Sequence, residues 1–85
     1  MTPAEILAQI NDILRDLLDD DSIQLTPETT SKQVAGWDSA LHISLIVAVE
    51  HRFDIKFQTA ELEELKDVGQ LVRLCLLYTS HVLHV

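Results

Sequence analysis

The feature that most constrains the fold is a run of aliphatic residues with helical spacing near the N-terminus. Between residues 6 and 18 they recur every three or four positions, so they fall on one side of a helix. The preceding TPAE offers Thr2 as N-cap, Pro3 at the first helical position and Glu5 at the capping-box position. A helix with one wholly apolar face must bury it against other elements, so we expect a packed helical domain. The aliphatic positions are Ile6, Leu7, Ile10, Ile13, Leu14, Leu17 and Leu18.

Size and charge limit what such a domain can do. The 85 residues form one domain, 1–85, which is too small for a deep catalytic cleft. Apolar residues make up 47% of the chain and there are only two glycines and two prolines, which indicates a packed protein rather than a disordered one. The net charge of −8 opposes binding to nucleic acid and to anionic membranes. We expect a binding or carrier module, not an enzyme, whose protein partners have basic surfaces.

Cysteine and histidine usage favours a cytoplasmic protein without a metal site, and we expect it to be a monomer. The single cysteine, Cys75, can form no internal disulfide, which is typical of a reducing compartment. The N-terminus lacks a secretory pattern, and charged or polar residues break the apolar C-terminal stretch, so no stable membrane insertion is expected. His81 and His84 have the spacing of a helical metal pair but lack a third ligand, so we interpret them as part of an exposed tail.

The pattern along the chain predicts an all-α fold of four helices. Residues 19–37 show no period, and Thr26-Pro27 and Gly36 mark them as a long loop between the first and second helices. A short helix follows Thr59, and Asp67 is expected to cap the last helix, whose buried stripe begins at Val68. The helices are expected at about residues 3–18, 39–53, 60–65 and 68–79.

The second helix is apolar on two sides. The expected core face contains Leu41, Leu45, Ile46, Val49 and Phe53. A second stripe, Ala40, Ile43 and Val47, shares its sector with polar residues, among them Ser44, Glu50 and His51. Apolar side chains rimmed by polar ones suit a docking face for partners, because few elements remain to cover them. The alternative is that further packing buries both stripes.

Ser39, which opens this helix behind Asp38, has three interpretations. The pair can be ordinary N-capping chemistry. Ser39 can be a nucleophile with His42 as its base, although no third group, oxyanion hole or pocket is visible. Ser39 can also attach a phosphorylated arm, because a helix N-terminus favours a phosphodiester anion. Composition does not choose among the three.

The stretch GWDSALHISLIVAVEHRFDIKF resembles the central helix of acyl and peptidyl carrier proteins, and the order of the other segments agrees over nearly the whole chain. The resemblance implies a four-helix bundle of acyl-carrier-protein type with a long first loop and a short third helix. It implies phosphopantetheine on Ser39, added by a phosphopantetheinyl transferase, with Asp38 helping that enzyme to position its metal and coenzyme A. The arm would then hold an acyl or aminoacyl group as a thioester.

Further partners implied by the resemblance are a loading ligase or transferase and a ketosynthase or acyltransferase with a basic docking surface. Ala40, Ile43, Ser44, Val47, Glu50 and His51 would contact them. Four departures from the family pattern favour a specialised pathway, such as one for a polyketide, an amino acid or an unusual acyl group: Trp37, Ala40, Ser44 and His51. The alternative function is a helical interaction adaptor in which Ser39 is only a helix cap.

Overall fold

The computed structural model describes residues 2–63 and 65–82, and all regular structure within these ranges is helical. The first helix packs against both the second and the fourth, and their buried side chains share one core. The predicted all-α class with a long first loop and a short third helix is confirmed. The elements are α1 (Pro3–Leu18), a 3₁₀ turn (Ser31–Gln33), α2 (Ser39–Phe53), α3 (Thr59–Glu63) and α4 (Val68–Val82).

The start and end of α1 are both fixed by local hydrogen bonds. The Thr2 hydroxyl accepts from the Glu5 amide at 3.2 Å, and the Glu5 carboxylate accepts from the Thr2 amide at 3.1 Å, which is the capping box that the sequence predicts. The helix ends at Asp19, which adopts the left-handed region with φ 51°. Four of its aliphatic residues are buried in the core: Ile6, Ile10, Ile13 and Leu14.

The long loop after α1 is held by contacts with α1 and with the start of α4. Asn11 of α1 accepts from the Leu25 amide at 2.9 Å, and the Leu25 side chain is buried. At the start of α4, the Gly69 amide donates to the Pro27 carbonyl at 2.8 Å. A Cβ at Gly69 would lie 2.8 Å from that carbonyl oxygen, so the contact requires glycine. The loop therefore has a defined path to the N-terminus of α2.

The core face of α2 differs from the expected one at its C-terminal end. Phe53 is only half-buried, although it packs against the core, whereas Phe57 is buried with 6% of its surface exposed. The expected core face is therefore only partly buried at Phe53. The cause is the end of α2, where Asp54 adopts φ 55° and turns the chain back. Leu41 is also only half-buried against the core. The buried residues of α2 are Leu45, Ile46 and Val49.

The last helix begins at an aspartate cap and supplies the opposite wall of the core. Asp67 accepts from the Gln70 amide at 2.9 Å, as a helix cap does. The Tyr78 ring packs edge-on against Phe57 with centroids 5.5 Å apart, and its hydroxyl donates to Glu61 of α3. These contacts hold the short α3 against α4. The core residues of α4 are Val68, Leu71, Val72 and Cys75.

Candidate functional site

Ser39 is the first residue of α2, and its side chain is exposed. The turn that leads to it needs glycine, since Gly36 has φ 87° and a Cβ there would lie 3.0 Å from the side chain of Leu18. Ser39 therefore lies at the positive end of the helix dipole with its hydroxyl accessible. This arrangement suits a serine that receives an anionic group.

Asp38 is the N-cap of α2. Its carboxylate oxygen Oδ1 accepts from the Leu41 amide at 2.8 Å, and its carbonyl accepts from the His42 amide at 2.9 Å. The capping interpretation of Asp38 is thus confirmed, and it leaves the neighbouring hydroxyl of Ser39 outside the cap. One carboxylate oxygen of Asp38 stabilises the helix, while the carboxylate as a whole remains at the surface.

His42 interacts with Trp37. The indole Nε1 of Trp37 donates to Nδ1 of His42 at 3.3 Å, and the two rings stack with centroids 6.2 Å apart and planes inclined by 25°. Because its Nδ1 accepts this hydrogen bond, His42 is held against Trp37, a residue of the long loop. The geometry gives no support to a dyad in which His42 serves as the base of Ser39.

Ser39 opens onto a shallow groove of about 440 Å³ at the N-terminus of α2. Trp37, His42 and Leu65 line this groove, and they also line a narrow cleft of about 30 Å³ that reaches the start of α4. The pairing of Trp37 with His42 has no signal in the apolar periodicity, because it joins a loop residue to a helical one. Sequence reasoning identified both residues but not their contact.

Most of the expected docking stripe on α2 lies at the surface. Ile43 is 64% exposed and Val47 58% exposed, so both aliphatic side chains lie open to solvent. The alternative in which further packing buries both apolar stripes of α2 is therefore wrong for these two residues. Ala40, Ser44 and His51 are exposed as well.

Glu50 differs from the other residues of the stripe. It is half-buried, and its Oε2 accepts from the Phe57 amide at 2.8 Å. Its carbonyl also accepts from the Ile55 amide at 3.0 Å. Glu50 thus orders the connection after α2, a role that its position on the helical wheel does not reveal.

The remaining candidates carry no chemistry in the described structure. Cys75 is fully buried, and burial raises the pKa of its thiol to about 12, which keeps it protonated and unreactive. Within residues 2–63 and 65–82, no three His, Cys, Asp or Glu side chains are arranged to hold a metal ion. The side chain of His81 and all of His84 lie outside the described residues. None of the helices in those same ranges has the length and apolarity to cross a membrane.

Comparison with known proteins gives consistent matches. A family model described as a phosphopantetheine attachment site matches residues 8–75. The solution NMR structure of holo acyl carrier protein from Geobacter metallireducens is similar, with a TM-score of 0.87 and 40% sequence identity, over 93% of this chain and 91% of that one. The acyl carrier protein of Clostridium acetobutylicum is 31% identical over 67 residues, 79% of this chain and 87% of that protein. That of Exiguobacterium sp. is 29% identical over 72 residues, 85% of this chain and 91% of that protein.

The family model spans well over half of the chain, and the helices agree with those of a known member along nearly their whole length. Both the expected family and its covalent cofactor, phosphopantetheine, are confirmed by these matches. The chain belongs to the acyl carrier protein family, whose members are carriers and not catalysts.

Proposed function

We propose that Ser39 bears the phosphopantetheine arm and that the protein carries an acyl or aminoacyl group as a thioester on it. The observation that carries the proposal is the exposed hydroxyl at the first position of α2, behind an aspartate whose carboxylate already caps the helix. The family match favours this function over that of an adaptor in which Ser39 is only a cap. The carrier brings its cargo to partner enzymes, which perform the chemistry.

The attachment step requires an accessible nucleophile and a stabilised product. The Ser39 oxygen forms a bond to the phosphorus that bears pantetheine in coenzyme A, the bond from that phosphorus to the nucleotide phosphate breaks, and the hydroxyl proton passes to a base of the transferase. The amides of the first turn of α2 favour the resulting phosphodiester anion. With one Asp38 oxygen bound to the Leu41 amide, the other is available to the transferase and its metal.

Intact mass tests this assignment. The protein is incubated with coenzyme A and a broad-specificity phosphopantetheinyl transferase, and we expect it to gain one phosphopantetheinyl group. Ser39→Ala should gain none. Ser22→Ala is the control, because Ser22 is an exposed serine of the long loop, outside α2, and should not affect the gain. Modification of Ser39→Ala, or its loss in Ser22→Ala, would overturn the assignment.

We propose further that partner enzymes bind the exposed apolar stripe of α2 through Ile43 and Val47. Both side chains lie on the helix that Ser39 opens, so a partner bound there would have the arm beside it. Replacing both with serine should lower the kcat/KM of the transferase several-fold without unfolding the protein. Leu77→Ser is the control, since Leu77 of α4 is exposed to almost the same degree, 57%. An equal loss from the control would argue against a specific surface.

We propose that the pathway is a specialised one, for a polyketide, an amino acid or an unusual acyl group, because Ser44 and His51 carry no acidic charge on this face. Enzymes with basic patches should be attracted less, by about 0.2 to 1 kcal/mol per exposed pair. Ser44→Glu with His51→Glu should therefore speed the reaction with a generic fatty-acid ketosynthase at low salt and lose that advantage at high salt. Equal rates for the parent and the double variant at both salt concentrations would contradict the proposal. We also propose that the protein is a monomer in the cytoplasm, because a single cysteine, which can form no internal disulfide, is typical of a reducing compartment.

A further inference from the structure

The second helix has little negative charge, although the chain as a whole is strongly acidic. The chain has 14 acidic and 6 basic side chains, yet Glu50 is the only acidic residue within α2. Its carboxylate is half-buried and accepts from the Phe57 amide. A basic patch on a partner enzyme therefore meets little attraction along the exposed face of this helix.

A cation lies at the C-terminal end of α2 instead. Arg52 belongs to the last turn of the helix, and its side chain is exposed. Its Nη1 donates to the amide oxygen of Gln9 on α1 at 2.7 Å. Because this acceptor is neutral, the hydrogen bond positions the guanidinium without cancelling its charge. In the part of the chain that the structure describes, the only ion pair joins Arg15 to Asp12 at 3.9 Å, so Arg52 takes part in none there.

Arg52 also lines a shallow groove of about 270 Å³ between α1 and α2. Leu17 is 39% exposed in this groove, so an apolar side chain of a partner can contact it. His51 lines the groove as well and shares a sector of α2 with the exposed apolar stripe, so a partner bound to that stripe reaches the groove. The lining residues are Ile13, Asp16, Leu17, Ala48, His51 and Arg52.

A guanidinium held in this way suits a carboxylate. Two of its N–H donors can bind both oxygens of one carboxylate side by side. Gln9 occupies one donor of Arg52, and the exposed side chain retains others for a ligand. Asp16 repels a carboxylate from the α1 side of the groove and so directs it to Arg52. Because the Debye length is about 8 Å at physiological ionic strength, the distant acidic residues of this chain oppose such a local contact only weakly.

We propose that Arg52 selects partner enzymes whose docking surface places a carboxylate at this end of α2 and an apolar side chain in the groove. The proposal rests on the attachment of the arm to Ser39 and on docking along α2. Arg52 lies about 20 Å from Ser39 along the helix axis, so its pairing fixes the direction and register of the partner on α2. Enzymes with a basic residue at that point are disfavoured by like charge.

A charge swap against a defined enzyme tests this selection. The probe is a generic fatty-acid ketosynthase, with a set of variants in which each exposed basic residue around its active-site entrance is replaced singly by glutamate. The carrier is loaded from octanoyl coenzyme A with a broad-specificity transferase, and the kcat/KM of octanoyl transfer to the ketosynthase is measured. With the parent carrier, at least one glutamate variant should react about two- to fivefold faster than the unmodified enzyme, as a partly exposed ion pair allows.

The carrier variants show whether Arg52 causes this gain. The gain should vanish with Arg52→Gln and become a loss with Arg52→Glu. Arg52→Lys keeps the charge but loses the planar fork, so it should retain only part of the gain. Arg73→Gln is the matched control, because it removes the same charge from an exposed position on α4 and should retain the full gain. Circular dichroism checks that every variant is folded.

The outcomes separate this inference from the function on which it rests. If the carrier gains no mass on loading, Ser39 bears no arm, and the proposed function is wrong as well. If the carrier is loaded but no glutamate variant reacts faster with the parent, the preferred surface opposite Arg52 is not acidic. If the gain persists in Arg52→Gln or disappears in Arg73→Gln, the effect does not come from pairing with Arg52. Either of the last two results overturns the selection by Arg52 alone.

Discussion

Replacement of Phe57 with alanine should destabilise the protein more than any other single aromatic truncation in the described part of the chain. The ring is 6% exposed, so its removal leaves a cavity in the core, at a cost of about 3 to 5 kcal/mol. The edge-on contact with Tyr78 adds about 0.5 to 1.5 kcal/mol. A domain of 85 residues has roughly 4 to 13 kcal/mol in total, so the substitution removes at least about a quarter of its stability and, at the low end of that range, nearly all of it.

Phe53→Ala provides the matched control, because it removes the same ring from a half-buried site only four residues away. It should cost about 1 to 2 kcal/mol, in proportion to the smaller area removed from water. Urea unfolding followed by circular dichroism gives both free energies, and equal m-values would show that the same structure unfolds. If Phe53→Ala costs as much as Phe57→Ala, the assignment of the core is wrong.

Three further predictions concern a close backbone contact, a side-chain hydrogen bond and the buried thiol. Gly69→Ala would place a Cβ 2.8 Å from the Pro27 carbonyl oxygen and should cost about 1 to 3 kcal/mol in urea unfolding. Glu50→Ala should cost about 1 to 3 kcal/mol, because it removes the acceptor of the Phe57 amide, whereas Glu50→Gln keeps an acceptor oxygen and should recover most of it. Burial raises the pKa of Cys75 from 9.0 to about 12, so only the unfolded chain ionises this thiol between those values. Stability should fall by at most about 1.4 kcal/mol per pH unit as pH rises through that range, and less steeply in Cys75→Ala.

Local patterns in the sequence were enough to predict the first helix and the start of the second. The capping box of Thr2 and Glu5 is a short-range signal, and its hydrogen bonds form as the spacing predicts. Asp38 likewise caps α2, which places Ser39 at its first position. In both cases the partners are three residues apart, so no tertiary contact is needed to bring them together.

The end of α2 could not be predicted in this way. Periodicity extends the core face to Phe53, but a left-handed residue that is not glycine, Asp54, ends the helix there. The Phe57 amide then donates a hydrogen bond to Glu50, which turns the chain back towards α2 and brings the ring of Phe57 into the core. These contacts depend on the tertiary arrangement. The contact between Trp37 and His42 depends in the same way on the path of the long loop.

The central claim, that the arm is attached to Ser39, is tested most directly by locating the added mass within the chain. Trypsin cleaves after Lys32 and Arg52, so the modified protein gives a peptide of residues 33–52 with two serines, Ser39 and Ser44. Tandem mass spectrometry of this peptide should place the phosphopantetheinyl group on fragments that contain Ser39 and lack Ser44. A group found on Ser44, or on a peptide outside 33–52, would contradict the account.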